Sequence, residues 1–271
     1  MDTQSIVRAL SRKGATARET DGITIKSQQE LDLMWEAGQI VGRTHRVLRA
    51  AVVPGITARE LDAIAEREIR ALGGTPAFKG YRGFPGTLCV SINEEIVHGI
   101  PGERVVQDGD LVSLDLGAIV GGLYGDSATT VPAGKVGPEL EALLAAGEAS
   151  LWAGIGAVRA GNRVGDVSAA VQAEVERRGA YGIVREYVGH GIGRRLHEEP
   201  QVPNFGLVGR GPLLRKGMAI AIEPMVNLGT HETRVLDDDW TVVTLDGKPS
   251  VHFEHTIIVT DGEPIVTTVV A

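Results

Sequence analysis

The chain has 271 residues, 43% of them hydrophobic and 23% charged, with a formal net charge of −8 when its seven histidines are neutral. This is the composition of an ordinary globular protein, and its acidic balance argues against DNA as a main partner, because DNA-binding domains present a basic face. The single cysteine, Cys89, excludes an intrachain disulfide, and no apolar run approaches the roughly 18 residues of a membrane span.

Residues 1–21 lack the continuous apolar core of a signal peptide. They read as a flexible extension of a cytoplasmic protein, leaving residues 22–271 as one domain. Ser27 and Glu30 have the spacing of a capping box. Leu31, Met34, Trp35, Val41, Leu48 and Val52 follow at helical spacing until Pro54-Gly55. Thr57 and Glu60 repeat the box ahead of a second amphipathic helix through Leu72, stopped by Gly73-Gly74. Strands are expected at 88–92, 111–120 and 123–131. Pro138 opens an Ala- and Leu-rich helix that ends near Ala160, and another helix runs from Val164 to Gly179. Strands at 183–188, 218–226 and 251–260 complete the chain. Each half reads as helix, glycine turn, helix, glycine stop, then strands. That pattern predicts an α+β domain built from a duplicated helix-pair and antiparallel-sheet unit.

The strand faces carry the chemistry. In 111–120, Val112, Leu114, Leu116, Ala118 and Val120 point one way, while Ser113, Asp115 and Gly117 point the other. Gly121-Gly122 is a two-residue hairpin turn, which sets Val120 opposite Leu123, Gly117 opposite Asp126 and Asp115 opposite Ala128. The two aspartates then share a face one diagonal step apart, about 7–8 Å at the backbone, close enough to share an ion. Ala219, Ala221 and Glu223 share one face of 218–226, and His252, Glu254 and Thr256 share one face of 251–260. The small neighbours of Asp115 describe a floor with something resting on it rather than a solvated face. Four carboxylates without lysine or arginine among them repel one another, so a cation is their natural partner. His190, on a glycine-flanked loop, adds a nitrogen. This oxygen-rich set suits Mn, Fe(II), Co or catalytic Zn better than a thiolate-bound structural Zn.

The ordered set Asp115, Asp126, His190, Glu223 and Glu254 lies within the runs LDLGAIVGGLYGDSATT, GHGIGRRLHEEP, AIAIEPMV and FEHTIIVT. Together with SINEEIVHGIP, these resemble the type I methionine aminopeptidases from about Gly22 to the C-terminus. The resemblance implies the pita-bread fold with internal pseudo-twofold symmetry. It implies two divalent metal ions (Co, Mn, Fe(II) or Zn) on those five residues, and removal of the initiator methionine when the next residue is small. It makes Glu223 the proton shuttle, His197 a hydrogen-bonding partner of the substrate carbonyl or tetrahedral intermediate, and His98 a partner of the peptide nitrogen. Tyr81, Phe84, Cys89 and Trp240 would line the methionine pocket. Leu196 stands where many relatives carry phenylalanine, and Phe78 where a small residue is common. The implied partners are nascent polypeptide N-termini, with transient ribosome association, no membrane and a monomeric enzyme. His45, His231, His252 and His255 read as structural, and Arg194-Arg195 as a solvated charge pair. Two rivals are an X-Pro aminopeptidase or prolidase-like enzyme, which usually carries an extra N-terminal domain, and a non-catalytic binding module on the same fold, in which ligands tend to be lost.

Overall fold

The computed structural model describes residues 18–20 and 22–270. Strands β1 (Arg18–Thr20) and β2 (Ile23–Ile25) precede the first helix pair, α1 (Gln28–Ala51) and α2 (Ala58–Ala71). Then come β3 (Thr75–Pro76), β4 (Leu88–Ile92), β5 (Glu95–Val97) and the long hairpin of β6 (Leu111–Val120) and β7 (Leu123–Pro132). The second helix pair is α3 (Pro138–Gly156) and α4 (Val164–Arg178). It is followed by β8 (Gly182–Ile183), β9 (Gly189–Gly191), β10 (Glu198–Val202), β11 (Ala219–Ile222) and β12 (Met225–Asn227). The chain closes with β13 (Thr233–Val235), β14 (Val242–Thr244), β15 (Ser250–His252), β16 (His255–Ile258) and β17 (Ile265–Val266).

Both capping boxes form. The Ser27 and Thr57 side chains accept from the amides of Glu30 and Glu60, whose carboxylates accept in return from the cap amides. Pro138 starts α3 directly after Gly137, where a missing N–H costs the helix nothing. The β6–β7 hairpin pairs Val120 with Leu123, Gly117 with Asp126 and Asp115 with Ala128, without a bulge. Gly121 and Gly122 turn it at φ +56° and +82°, the left-handed geometry this connection requires.

Two large apolar cores match the two halves. Val112, Leu114, Leu116 and Ala118 of β6 pack with Val41 and Leu48 of α1 and Leu61 and Ile69 of α2. Leu151, Val167, Val171, Ile220, Ile222 and Ile257 form the equivalent core under α3 and α4. The first half centres on β6, paired with β3, β4 and β7, and the second on a seven-stranded sheet in the order β1-β2-β10-β9-β11-β16-β17. They meet where the Ala128 and Glu254 backbones exchange hydrogen bonds of 3.3 and 2.9 Å. On either side, threonine hydroxyls continue the seam. Thr256 Oγ1 accepts from the Asp126 amide and donates to its carbonyl, and Thr130 Oγ1 does the same with His252.

Three expectations need correction. The strand expected at 183–188 is ordered only at Gly182–Ile183. Those expected at 218–226 and 251–260 are each broken, at Glu223-Pro224 and Phe253-Glu254, where the chain passes from the seven-stranded sheet to a three-stranded one, β15-β12-β8. Pro224 cannot donate to a ladder, which suits the first crossing. Ahead of the domain expected to begin at residue 22, Arg18–Thr20 pair antiparallel with Ile23–Ile25. Residues 1–17 lie outside the described residues.

Candidate metal centre and substrate cleft

Asp115 and Asp126 project from the face of the β6–β7 hairpin opposite the helical core, because side chains alternate along a strand. Glu223 and Glu254 occupy the two sheet crossings. Glu254 is held by the backbone bonds to Ala128, and Asn204 donates to the Glu223 carbonyl at 3.0 Å. His190 lies on β9, so the expected loop is in fact a strand, paired with β10 and β11. Its glycine neighbours answer to packing. A Cβ on Gly189 would stand 2.4 Å from the Ala221 carbonyl oxygen, and one on Gly191 would stand 2.1 Å from that of Glu199. His190 Nε2 lies 3.6 Å from Glu223 Oε1, and ligand atoms of Asp126, His190 and Glu254 all fall within 4.8 Å of one another.

The electrostatics of this cluster are those of a donor set without its counter-charge. Asp115 Oδ1, Asp126 Oδ1 and Glu254 Oε1 are buried with no hydrogen-bond partner. Burial pushes the Asp115 carboxyl up to about 8. Burial and then mutual repulsion drive Asp126, Glu223 and Glu254 well above the usual carboxylate range. Burial, followed by the neighbouring His197, pulls His190 down to about 3, so its imidazole is neutral and able to offer a lone pair. A buried carboxylate with no partner is costly. Divalent cations remove that cost, and the carboxylate-plus-imidazole set fits them.

Beside the cluster lies a cleft of about 320 Å³. All eleven residues singled out from the sequence line it: the five donors with His98, His197, Tyr81, Phe84, Cys89 and Trp240. Phe78, Arg82 and Leu196 complete the wall. Cys89 stands opposite Asp115 across the β4–β6 pair. Ala77 and Phe78 fill the volume above Gly117, 2.9 and 3.1 Å from where its Cβ would be. Phe84 meets Trp240 edge-to-face at 5.1 Å, and His98 stands edge-on to Tyr187 at 5.6 Å. Asp238 fixes the Trp240 loop, accepting from the amides of Trp240 and Thr241 and from the Thr241 hydroxyl. His98 holds φ +61°, a conformation uncommon outside glycine that is often retained at working sites. Tyr81 Oη and His197 Nδ1 are 2.9 Å apart, and the His190 and His197 rings lie 4.3 Å apart. The His197 ring reaches solvent at the mouth, yet partial desolvation and then the Arg82 cation hold its pKa below the usual histidine value.

The profile of metallopeptidase family M24 matches residues 32–261. The chain belongs to metallopeptidase family M24. Methionine aminopeptidase 1 of Bacillus subtilis is 50% identical over 248 residues, covering 91% of this chain and 100% of the relative. The crystal structure of the Thermotoga maritima methionine aminopeptidase superposes with a TM-score of 0.90 at 43% identity, over 92% of this chain and 100% of that one. The prolidase of Pyrococcus furiosus shares the fold, with a TM-score of 0.74 at 20% identity, but this M24 chain spans only 66% of it. The pita-bread architecture expected from the sequence is the one observed. M24 membership brings divalent metal ions with it, and the unpartnered carboxylates above are suited to receive them. Among the described residues no helix is long and apolar enough to cross a membrane.

Sequence reasoning passed over His252. It is buried, neither ring nitrogen has a hydrogen-bond partner, and Nε2 lies 3.7 Å from Glu223 Oε2, the oxygen other than the one nearest His190. The signal was its place on the Glu254 face of the strand. Arg82 at the mouth, over the Tyr81 ring, carried no signal at all. Arg194, expected to be simply solvated, pairs with Glu30 in the first turn of α1.

Proposed function

We propose that this M24 chain removes the N-terminal methionine from polypeptides whose second residue is small. The observation that carries the reading is the junction of an apolar, aromatic-walled cleft with a buried donor set lacking counter-charge. A flexible thioether suits such walls, because sulfur packs favourably against aromatic rings. Near-complete coverage of relatives named methionine aminopeptidase supports the same substrate. The X-Pro reading is less favoured, since the prolidase likeness covers only part of that longer protein.

Asp115, Asp126, His190, Glu223 and Glu254 would hold two divalent cations, whose four positive charges offset the four carboxylates. When bound, such ions supply Lewis acidity toward a carbonyl oxygen and make water a nucleophile near neutral pH. Glu223, with His190 at 3.6 Å and His252 at 3.7 Å, takes the proton from the attacking water and returns it to the leaving amine. In the proposed tautomer, Tyr81 donates to His197 Nδ1 across their 2.9 Å contact, so that the hydrogen on Nε2 serves the substrate carbonyl. His98, kept neutral because burial and then His197 lower its pKa to about 4, meets the peptide nitrogen. Phe84, Trp240, Cys89, Phe78 and Leu196 take the methionine side chain. Substrates of this kind emerge from ribosomes, which supports a cytoplasmic reaction with transient ribosome contact. One chain supplies every donor, so a monomer suffices.

The test is hydrolysis of a Met-Ala-Ser peptide by chelator-stripped protein titrated with Mn, Fe(II), Co and Zn. Metal-dependent release of free methionine is expected. Preferential cleavage of an X-Pro peptide would replace this substrate assignment with the rival one.

A further inference from the structure

His197 sits on the turn between β9 and β10, and the grip on that turn lies elsewhere in the chain. Lys26, between β2 and the cap of α1, extends beneath the turn, and its Nζ meets Glu198 Oε2 at 2.9 Å. Both side chains are only 2% exposed. Both carboxylate oxygens of Glu198 accept hydrogen bonds. Thr24 Oγ1 donates to Oε2 at 2.6 Å, and the Arg195 amide, within the turn itself, donates to Oε1 at 3.1 Å. The Lys26 amide is tied in turn to the Gly217 carbonyl at 2.8 Å.

Gly193 makes this passage. A Cβ there would stand 2.4 Å from Lys26 Cε and 2.9 Å from Glu198 Oε1. The Gly193 carbonyl accepts from the Tyr124 amide at 2.9 Å, which joins the turn to the hairpin that carries Asp126. The Arg194–Glu30 pair grips the same turn from outside. Between these fixed points the chain has one exposed group that enters the cleft, His197, immediately before Glu198.

We infer that Lys26 is a positioning residue for the reaction: its buried ion pair with Glu198 clamps the 193–198 turn and so holds His197 over the reacting carbonyl. The inference rests on the role proposed for His197. It also explains why a buried ion pair is present where an apolar pair of similar size would serve stability as well or better.

The test is a double-mutant cycle on the metal-loaded enzyme with Met-Ala-Ser, joined to hydrogen–deuterium exchange of residues 193–198. Lys26→Met should lower kcat about 10-fold or more with KM within about 2-fold, because small misplacements of a positioned group act on the reacting geometry. In a His197→Ala background the same change should cost less than about 2-fold, since residues acting through one another are not additive. Exchange at the Arg195 amide should rise while β6 and β7 stay protected. Should Lys26→Met fail to fold, Lys26→Met/Glu198→Gln leaves no charge buried alone and carries the same measurements. An equal kcat loss in both backgrounds, or unchanged exchange at 193–198, overturns the clamp. A wild-type protein that releases no methionine would count against the functional reading alone, and the exchange data would still decide the clamp.

Discussion

Removing the metal and following stability against pH exposes the electrostatic design of the centre. Asp115 is held at about 8 by burial, and Asp126, Glu223 and Glu254 lie well above the usual range from burial and mutual repulsion. In the unfolded chain all four ionise near 4. Between those values the metal-free folded state binds protons that the unfolded state does not, so its stability falls as pH rises. Buried histidines act in the opposite sense. His45, His98 and His255 are lowered to about 4, and His190 and His252 to about 3, in each case chiefly by burial. Unfolded, they titrate near 6.5, so their contribution grows from about pH 3 and is complete about one unit above 6.5, near pH 7.5. Above that point only the carboxyls remain. A group still protonated contributes a slope of about 1.4 kcal/mol per pH unit. Asp115 alone therefore costs the stripped protein about 0.7 kcal/mol from pH 7.5 to 8.5, and its neighbours add to this. Urea denaturation of chelator-treated and Mn-loaded protein at both pH values measures the effect. The loss should be confined to the stripped protein, because the cation replaces the protons. Equal stability of stripped protein at pH 7.5 and 8.5, or the same loss with metal bound, would refute the reasoning.

Glu223→Gln should reduce methionine release by about 100-fold or more while the circular dichroism spectrum is retained; near-normal turnover would remove Glu223 from proton transfer. The same substitution should flatten the stripped protein's decline above pH 7.5, since one of the four buried acids is gone. Trp240→Ala should cut the preference for Met-Ala-Ser over Leu-Ala-Ser by about 10-fold, the scale set by one lost wall of an apolar pocket. An unchanged ratio would place the indole outside the methionine site. Gly189→Ala drives a methyl group against the Ala221 and Val202 carbonyls. It should cost about 1–3 kcal/mol in urea denaturation, as overpacking generally does.

What could be read in advance followed physical periodicity. The β6–β7 register was legible because a Gly-Gly turn and strict alternation leave one pairing that buries Val112, Leu114 and Leu116, and a one-residue slip would expose all three. The helix starts were legible because a capping box is a purely local pattern. Glu223 and Glu254 were assigned to their faces by alternation within long strands, although the strands break at those very residues. Sequence periodicity does not register a change of sheet when apolar residues continue on both sides of it. The long-range partners were invisible for another reason. Lys26 and Glu198 are 172 residues apart and His45 and Ser127 are 82 apart, so no local pattern links them.

The seam between the halves bears on how such an enzyme comes into being. Asp115 and Asp126 belong to the first half, while His190, Glu223 and Glu254 belong to the second. Beside the site, the halves are stitched together by two backbone bonds at Ala128–Glu254, by the hydroxyls of Thr130 and Thr256 and by the Tyr124–Gly193 bond, and further off by the β5–β14 pair. Neither half alone owns more than three of the five donors. On the proposed assignment of the five donors, an emerging first half is therefore catalytically inert during synthesis however well it folds, and hydrolytic capacity arrives only with the last stretch of chain. A peptidase made among unfinished polypeptides is in this way prevented by its own topology from cutting before it is whole.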